Sequence, residues 1–219
     1  MKTKEIGIWI GVIIALLLTF WGLITLVNNS NPSDTPLPEV KTPKAVSKND
    51  ITLGAQNNAK IILTEYADFQ CPACTTQAEF IKNLNKDFKD NLLIVYRFLP
   101  LDIHKNALPS AQAAFAAFKQ NKFWEMSDLL YQNQASWSEA DNAQKIFTDY
   151  AKALNLNLDQ FTLDYNANST KEFINNERNE GMSLGIVYTP SLFVNGKLIE
   201  NPKNYDDFKK IIQNEINNK

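Results

Sequence analysis

Two cysteines, Cys71 and Cys74 in the segment Cys71-Pro72-Ala73-Cys74, are the residues best placed to do chemistry, and they are the only cysteines in the chain. Their spacing admits three readings: a structural bridge, part of a metal site, or a redox pair. A structural bridge would close a four-residue loop and remove only about 2 kcal/mol of unfolded-state entropy. A metal ion commonly needs four ligands, such as a second Cys pair or two His, and this sequence adds only His104. A redox pair needs one thiol held as a thiolate and a second thiol within reach to displace a mixed disulfide.

The elements around the pair suit the third reading. Residues 59–69 (AKIILTEYADF) form a short apolar, β-branched and aromatic run that reads as a strand. Pro72 fits the first turn of a helix, and Cys74, Ala78, Ile81, Leu84 and Phe88 recur at three- and four-residue spacing along one apolar face. Cys71 is therefore predicted at the helix N-cap, where unpaired N–H groups and the positive dipole end favour a thiolate. Cys74 lies one turn inward and is assigned as the resolving thiol. The redox group would then be the Cys71–Cys74 disulfide itself, and no cofactor or metal is expected.

Residues 91–99 (NLLIVYRFL) read as a second, central strand. Pro109 to Gly185 reads as helical throughout, with Pro109 in a first turn and Ser138 and Asp141 framing a capping box. Asn168 or Ser169 is expected to cap the helix that Gly185 stops. Residues 191–200 (SLFVNGKLIE) predict a hairpin around Asn195-Gly196, and residues 204–217 a closing amphipathic helix. Trp124, Met126, Leu129 and Leu130 have the spacing of core residues.

The N-terminal fifty residues differ in kind. Ile6 to Val27 carries no charged side chain, and as a helix it would span roughly 33 Å. It has no small-residue cleavage site and is read as an uncleaved anchor rather than a signal peptide. Lys2 and Lys4 precede it and no basic residue follows until Lys41, so the N-terminus is expected in the cytoplasm and the rest outside. Residues 28–50, with four prolines, read as a linker. Residues 51–219 remain for one domain.

A net charge of −2 without a basic block argues against nucleic-acid binding. One His and two Cys are too few for a zinc-finger array or a multi-disulfide scaffold.

EYADFQCPAC, NLLIVYRFLPLDIH, KFWEMSDLLY and YTPSLFVNGK, in that order, resemble the DsbA-type thioredoxin family, especially its membrane-anchored members. The resemblance covers most of residues 51–219. It implies an α/β thioredoxin fold, β-α-β then β-β-α, with a helical insertion over about 105–185. It implies a cis Thr189–Pro190 bond facing the cysteines, with the backbone there pairing with an extended substrate segment. Glu65 matches the family's buried acid, which would help move the proton of Cys74; its plainer reading is a solvated strand-end carboxylate. Phe69 and Tyr188 flank the site and could form an apolar landing surface. His104 matches a loop histidine that the family uses as structure. Ala73 departs from the Pro-His pair of the family's best-known strong oxidant. Alanine offers the sulfur no charge or hydrogen bond, so a less oxidising pair is expected, with Cys71 still acidic.

The function implied is an extracytoplasmic thiol–disulfide oxidoreductase, most simply in a bacterial envelope. It would donate its disulfide to reduced or unfolded exported proteins and be recharged by a quinone-linked membrane thiol oxidase. A monomer is expected, with no nucleic-acid partner. Reductase or isomerase activity at the same site, or a substrate-binding or chaperone module with an inert disulfide, are the alternatives.

Overall fold

The computed structural model describes residues 13–25, 40–57 and 59–218. The chain divides into two compact units, Met1–Pro38 and Glu39–Lys219. In the first, residues 13–25 form helix α1, whose apolar side chains, among them Leu16, Phe20 and Trp21, are exposed. The remainder of the Ile6–Val27 run lies outside the described residues. Thirteen helical residues cover only about 20 Å, and among the described residues no helix is long and apolar enough to cross a membrane.

The second unit is built on five strands, β1 (Ile51–Gly54), β2 (Ile61–Ala67), β3 (Leu92–Phe98), β4 (Ser191–Val194) and β5 (Lys197–Ile199). Their order in the sheet is β1-β3-β2-β4-β5. The β2–β3 pair is parallel and sets Glu65 opposite Tyr96; the other pairs are antiparallel. Parallel strands need a crossover, and α2 (Pro72–Asp87) provides it. The β4–β5 turn places Asn195 (φ 50°) and Gly196 (φ 80°) in the left-handed region, as an Asn-Gly two-residue hairpin requires.

Between β3 and β4 run six helices: α3 (Ala107–Phe118), α4 (Phe123–Gln132), α5 (Gln134–Trp137), α6 (Ala143–Ala153), α7 (Leu158–Asn166) and α8 (Asn168–Ser183). Helix α9 (Tyr205–Asn217) closes the chain. One part of the core joins Ile81 and Leu84 of α2 and Phe208 and Ile212 of α9 to Ile61, Leu63, Ile94 and Leu192 of the sheet. Another joins Phe69, Tyr96 and Phe98 to buried residues of the inserted helices, such as Phe115, Met126, Leu130 and Ile174. Trp124 and Leu129 are only partly buried.

Two caps differ from expectation. Asn142, not the Ser138–Asp141 pair, caps α6, its side chain accepting from Lys145 N, because Ser138 is taken up at the end of α5. Helix α8 starts at Asn168 behind Ala167 without a side-chain cap. Gly185 does stop it, at φ 91°. The short edge strand β1, which the sequence reading did not resolve, pairs with β3.

Residues 40–50, read from composition as the end of a linker, run along the domain. Lys41 N donates to Leu184 O and Lys44 N to Glu180 Oε1. Asp50 is buried and accepts 2.8 Å bonds from Arg97 Nη2 and from Ser47 N. Arg97, next to last in β3, is fully buried, and Glu180 Oε2 lies 3.6 Å from its Nη1 while accepting from Tyr66 Oη at 2.7 Å. A buried guanidinium needs carboxylates beside it, and one of them comes from this stretch. The packed structure thus begins ahead of residue 51. A fragment starting at residue 51 should be less stable than one starting at 39 by about 3 kcal/mol, the cost of leaving half of a buried ion pair. Urea midpoints of the two fragments, with Asp50→Ala in the full chain as the single-site counterpart, measure it.

Candidate active site: a cysteine pair at a helix N-terminus

Strand β2 ends at Ala67, and after Asp68-Phe69-Gln70 the chain enters α2 with Cys71 at the N-cap, φ −74° and ψ 121°. Pro72 takes the first helical position, where its missing N–H has no helical acceptor to lose. Pro72 and Ala73 are exposed, Cys71 is 8% exposed and Cys74 is fully buried. Both cysteines are free thiols. The helix turn thus leaves one sulfur at the surface and carries the other beneath it.

The Thr189–Pro190 bond is cis. Cys71 Sγ donates to Thr189 O at 3.3 Å, so the loop entering β4 lies against the sulfur. The Cys71 thiol is pushed down to about 5. The chief cause is the hydrogen bond from Cys74; desolvation opposes it, and the backbone N–H groups of Cys74 and Ala73 add to it. These N–H groups are the free donors of the helix start. Cys74 goes the other way. Burial, its bond to Cys71 and the nearby Glu65 all raise it well above the ordinary thiol range.

Glu65, on β2, is 3% exposed, and its Oε1 has no hydrogen-bond partner among the described residues. Burial first, then the charge on Cys71, pushes its carboxyl up to about 8. It is a buried neutral acid at pH 7, not a solvated strand-end carboxylate.

The loop before Cys71 is held by side chains rather than by the sheet. Asp68 accepts from Gln70 N at 2.8 Å and Leu101 N at 2.9 Å, and lies 2.7 Å from His104 Nδ1. The Gln70 side chain accepts from Asn106 N at 2.6 Å and donates to Ser138 O at 3.0 Å. His104 therefore sits in the support of the loop, two links from the sulfur.

Phe69 departs from the landing surface expected of it. It is 1% exposed and packs on Tyr96, Phe98, Phe123 and Tyr131, with ring centroids 4.9–6.4 Å apart. It faces the core because the aromatic residues of β3 and α4 offer it more apolar contact than solvent does. Tyr188 is half-buried, and its neighbour Val187 is the apolar side chain open to solvent, at 75%. Asn201 and Gln77, which carried no sequence signal, also meet the site's framework: Asn201 Nδ2 donates to Pro190 O at 2.7 Å, and Gln77 Nε2 to Pro202 O at 2.9 Å.

Comparison with known proteins places this geometry. Residues 46–214 match the family model described as Thioredoxin. The chain is 30% identical over 193 residues to Na(+)/H(+) antiporter NhaA 1 of Mycolicibacterium vanbaalenii, covering 85% of this chain and 30% of that protein. The chain therefore spans about a third or less of the length of such curated relatives. It is 26% identical over 198 residues to a Bacillus cereus protein named probable disulfide bond formation protein D, covering 88% of this chain and 87% of that one. Among solved structures, oxidised BdbD of Bacillus subtilis superposes with a TM-score of 0.71 at 20% identity, over 82% of this chain and 99% of that one. Alpha-DsbA1 of Wolbachia pipientis gives 0.70 at 21%, over 79% and 94%. With the cysteine pair at the start of α2, the cis-proline opposite and a family match over most of its length, the chain belongs to the thioredoxin family, as a DsbA-like thioredoxin-fold protein.

Proposed function

We propose that this protein is a thiol–disulfide oxidoreductase that passes the Cys71–Cys74 disulfide to reduced exported proteins. One observation carries the reading: an acidified thiol at a helix N-cap lies against the carbonyl before a cis-proline, with its partner thiol fully buried. The similarity to a protein named for disulfide bond formation supports it.

The geometry assigns the steps. In the oxidised protein a substrate thiolate attacks Cys71 Sγ, the more accessible sulfur. The Cys71–Cys74 bond breaks and its electron pair goes to Cys74 Sγ. That sulfur takes a proton because burial disfavours its thiolate, and Glu65, protonated at neutral pH and coupled to Cys74, can supply it. A second substrate thiolate then attacks the substrate sulfur of the mixed disulfide. Cys71 leaves as a thiolate, and a low leaving-group pKa speeds that step. The substrate departs oxidised and the enzyme holds two thiols. Thr189 and Pro190 would present backbone to an extended substrate segment, by strand addition.

Recharging requires an oxidant, for which a quinone-linked membrane thiol oxidase is the fitting class. The charge-free Ile6–Val27 run, with Lys2 and Lys4 ahead of it, supports an anchor that holds the domain outside the membrane.

The reduction potential of the pair, equilibrated against glutathione, tests the direction. A value near or above about −180 mV supports disulfide donation, and one near about −270 mV overturns it in favour of reduction. Cys74→Ser should accumulate mixed disulfides through Cys71; if none form, the exchange reading fails.

The Cys71 thiolate absorbance should titrate with a midpoint near 5. Since folding lowers this pKa, its stabilisation of the reduced form is full above the unfolded value near 9 and disappears as pH falls through about 5. Unfolding of the reduced and oxidised forms across that window measures the difference.

Glu65 has the opposite sign, because folding raises its pKa from 4.5 to about 8. Glu65→Leu should therefore gain about 3 kcal/mol at neutral pH, a gain that shrinks toward zero near the unfolded value. The same variant should turn over more slowly, having lost the proton donor to Cys74.

A further inference from the structure

The β4–β5 hairpin reaches two positions past its last strand pair. Leu192 faces Ile199, so the same register sets Pro190 opposite Asn201. Proline has no N–H to give, and its carbonyl lies where the backbone ladder has ended. The Asn201 side chain takes over there, Nδ2 donating to Pro190 O at 2.7 Å. The next residue, Pro202, is buried, and its carbonyl accepts from Gln77 Nε2 at 2.9 Å. Gln77 is itself buried and belongs to α2, the helix that begins behind Cys71.

These contacts close a ring. Cys71 Sγ reaches Thr189 O across the cleft; Pro190 O is tied to Asn201; Pro202 O is tied to Gln77, on the helix that Cys71 caps. Asn201 Oδ1 and Gln77 Oε1 are buried and have no hydrogen-bond partner among the described residues. In both side chains the amide nitrogen is therefore the group that makes the tie. Burying two polar oxygens unpaired costs free energy, and the two amide nitrogens each hold a proline carbonyl in return.

We infer that Asn201, braced through Pro202 by Gln77, is a positioning residue for disulfide exchange, holding the cis-proline loop at the spacing from Cys71 at which Thr189 serves both the sulfur and the substrate backbone. This rests on the exchange reading above. Without the tie the loop is free to draw back. The sulfur then loses its 3.3 Å contact with Thr189 O, and an incoming strand loses a fixed edge to pair with.

The test uses the full chain with Asn201→Leu, of similar size but without a donor, and Gln77→Leu. For a cysteine-containing peptide, KM should rise about threefold or more with kcat little changed. The Cys71 titration midpoint should shift by about half a unit, an about threefold change in the thiolate-to-thiol ratio at a given pH. Gln77→Leu should shift both in the same direction by less. A lower melting temperature with KM and midpoint unchanged would make the tie merely structural and overturn the inference. Should Asn201→Leu not fold, Asn201→Ser, with a donor too short to span the gap, is read the same way. If the unsubstituted protein does not exchange disulfides, the proposed function fails, whereas the Cys71 midpoint still decides the role of Asn201.

Discussion

Cys71, Cys74 and Glu65 are three acids in one poorly solvated region, and like charges so placed cannot all ionise. The fold gives the single negative charge to Cys71. That sulfur alone of the three meets the free N–H groups of a helix start, and it keeps some access to solvent. Cys74 and Glu65 are enclosed, and burial raises both, Cys74 well above the ordinary thiol range and Glu65 to about 8. The asymmetry between the two sulfurs follows from this distribution, and so does the assignment of one as leaving group and the other as proton acceptor.

Holding the charge there demands that two separate pieces of chain keep their spacing. The helix side is set by the Asp68 and Gln70 hydrogen bonds, which tie the loop before Cys71 to the loop after β3 and to the end of α5. The opposite side is set by the β2–β4 pairing and by the Asn201 contact with Pro190. The inserted helices contribute to the first of these and bury Phe69 under the site, so they support the reacting groups as well as extending the core.

A second buried charge, the Arg97 guanidinium, determines where the domain begins. Its carboxylate partners come from residue 50 on one side and from α8 on the other. Glu177 of α8, 2% exposed, accepts from Phe98 N at 2.9 Å, and burial pushes its own carboxyl up to about 8. Polar groups so deeply placed hold β3, α8 and the segment before β1 in one arrangement, because any slip leaves a buried charge uncompensated.

Local pattern was enough to find the cysteine pair at a helix start, the strands on either side, the Asn195-Gly196 hairpin and the stop at Gly185. Each depends on the residue types within a few positions: a proline in the first turn, a three- and four-residue apolar repeat, two residues that tolerate positive φ. The direction of Phe69, the packing of residues 40–50 and the tie made by Gln77 depend on groups dozens to more than a hundred positions away, and the Asn201 tie crosses a hairpin to Pro190. Composition makes residues 40–50 look unstructured because it does not register that Asp50 will meet a buried arginine, and Phe69 beside the cysteines looks exposed until β3 and α4 close over it. The sequence by itself thus determined the chemistry the chain carries and the elements that carry it. The tertiary structure decided that Glu65 is enclosed beside the buried Cys74 and what holds the cis-proline against Cys71, because desolvation and hydrogen-bond geometry arise only when distant segments pack together.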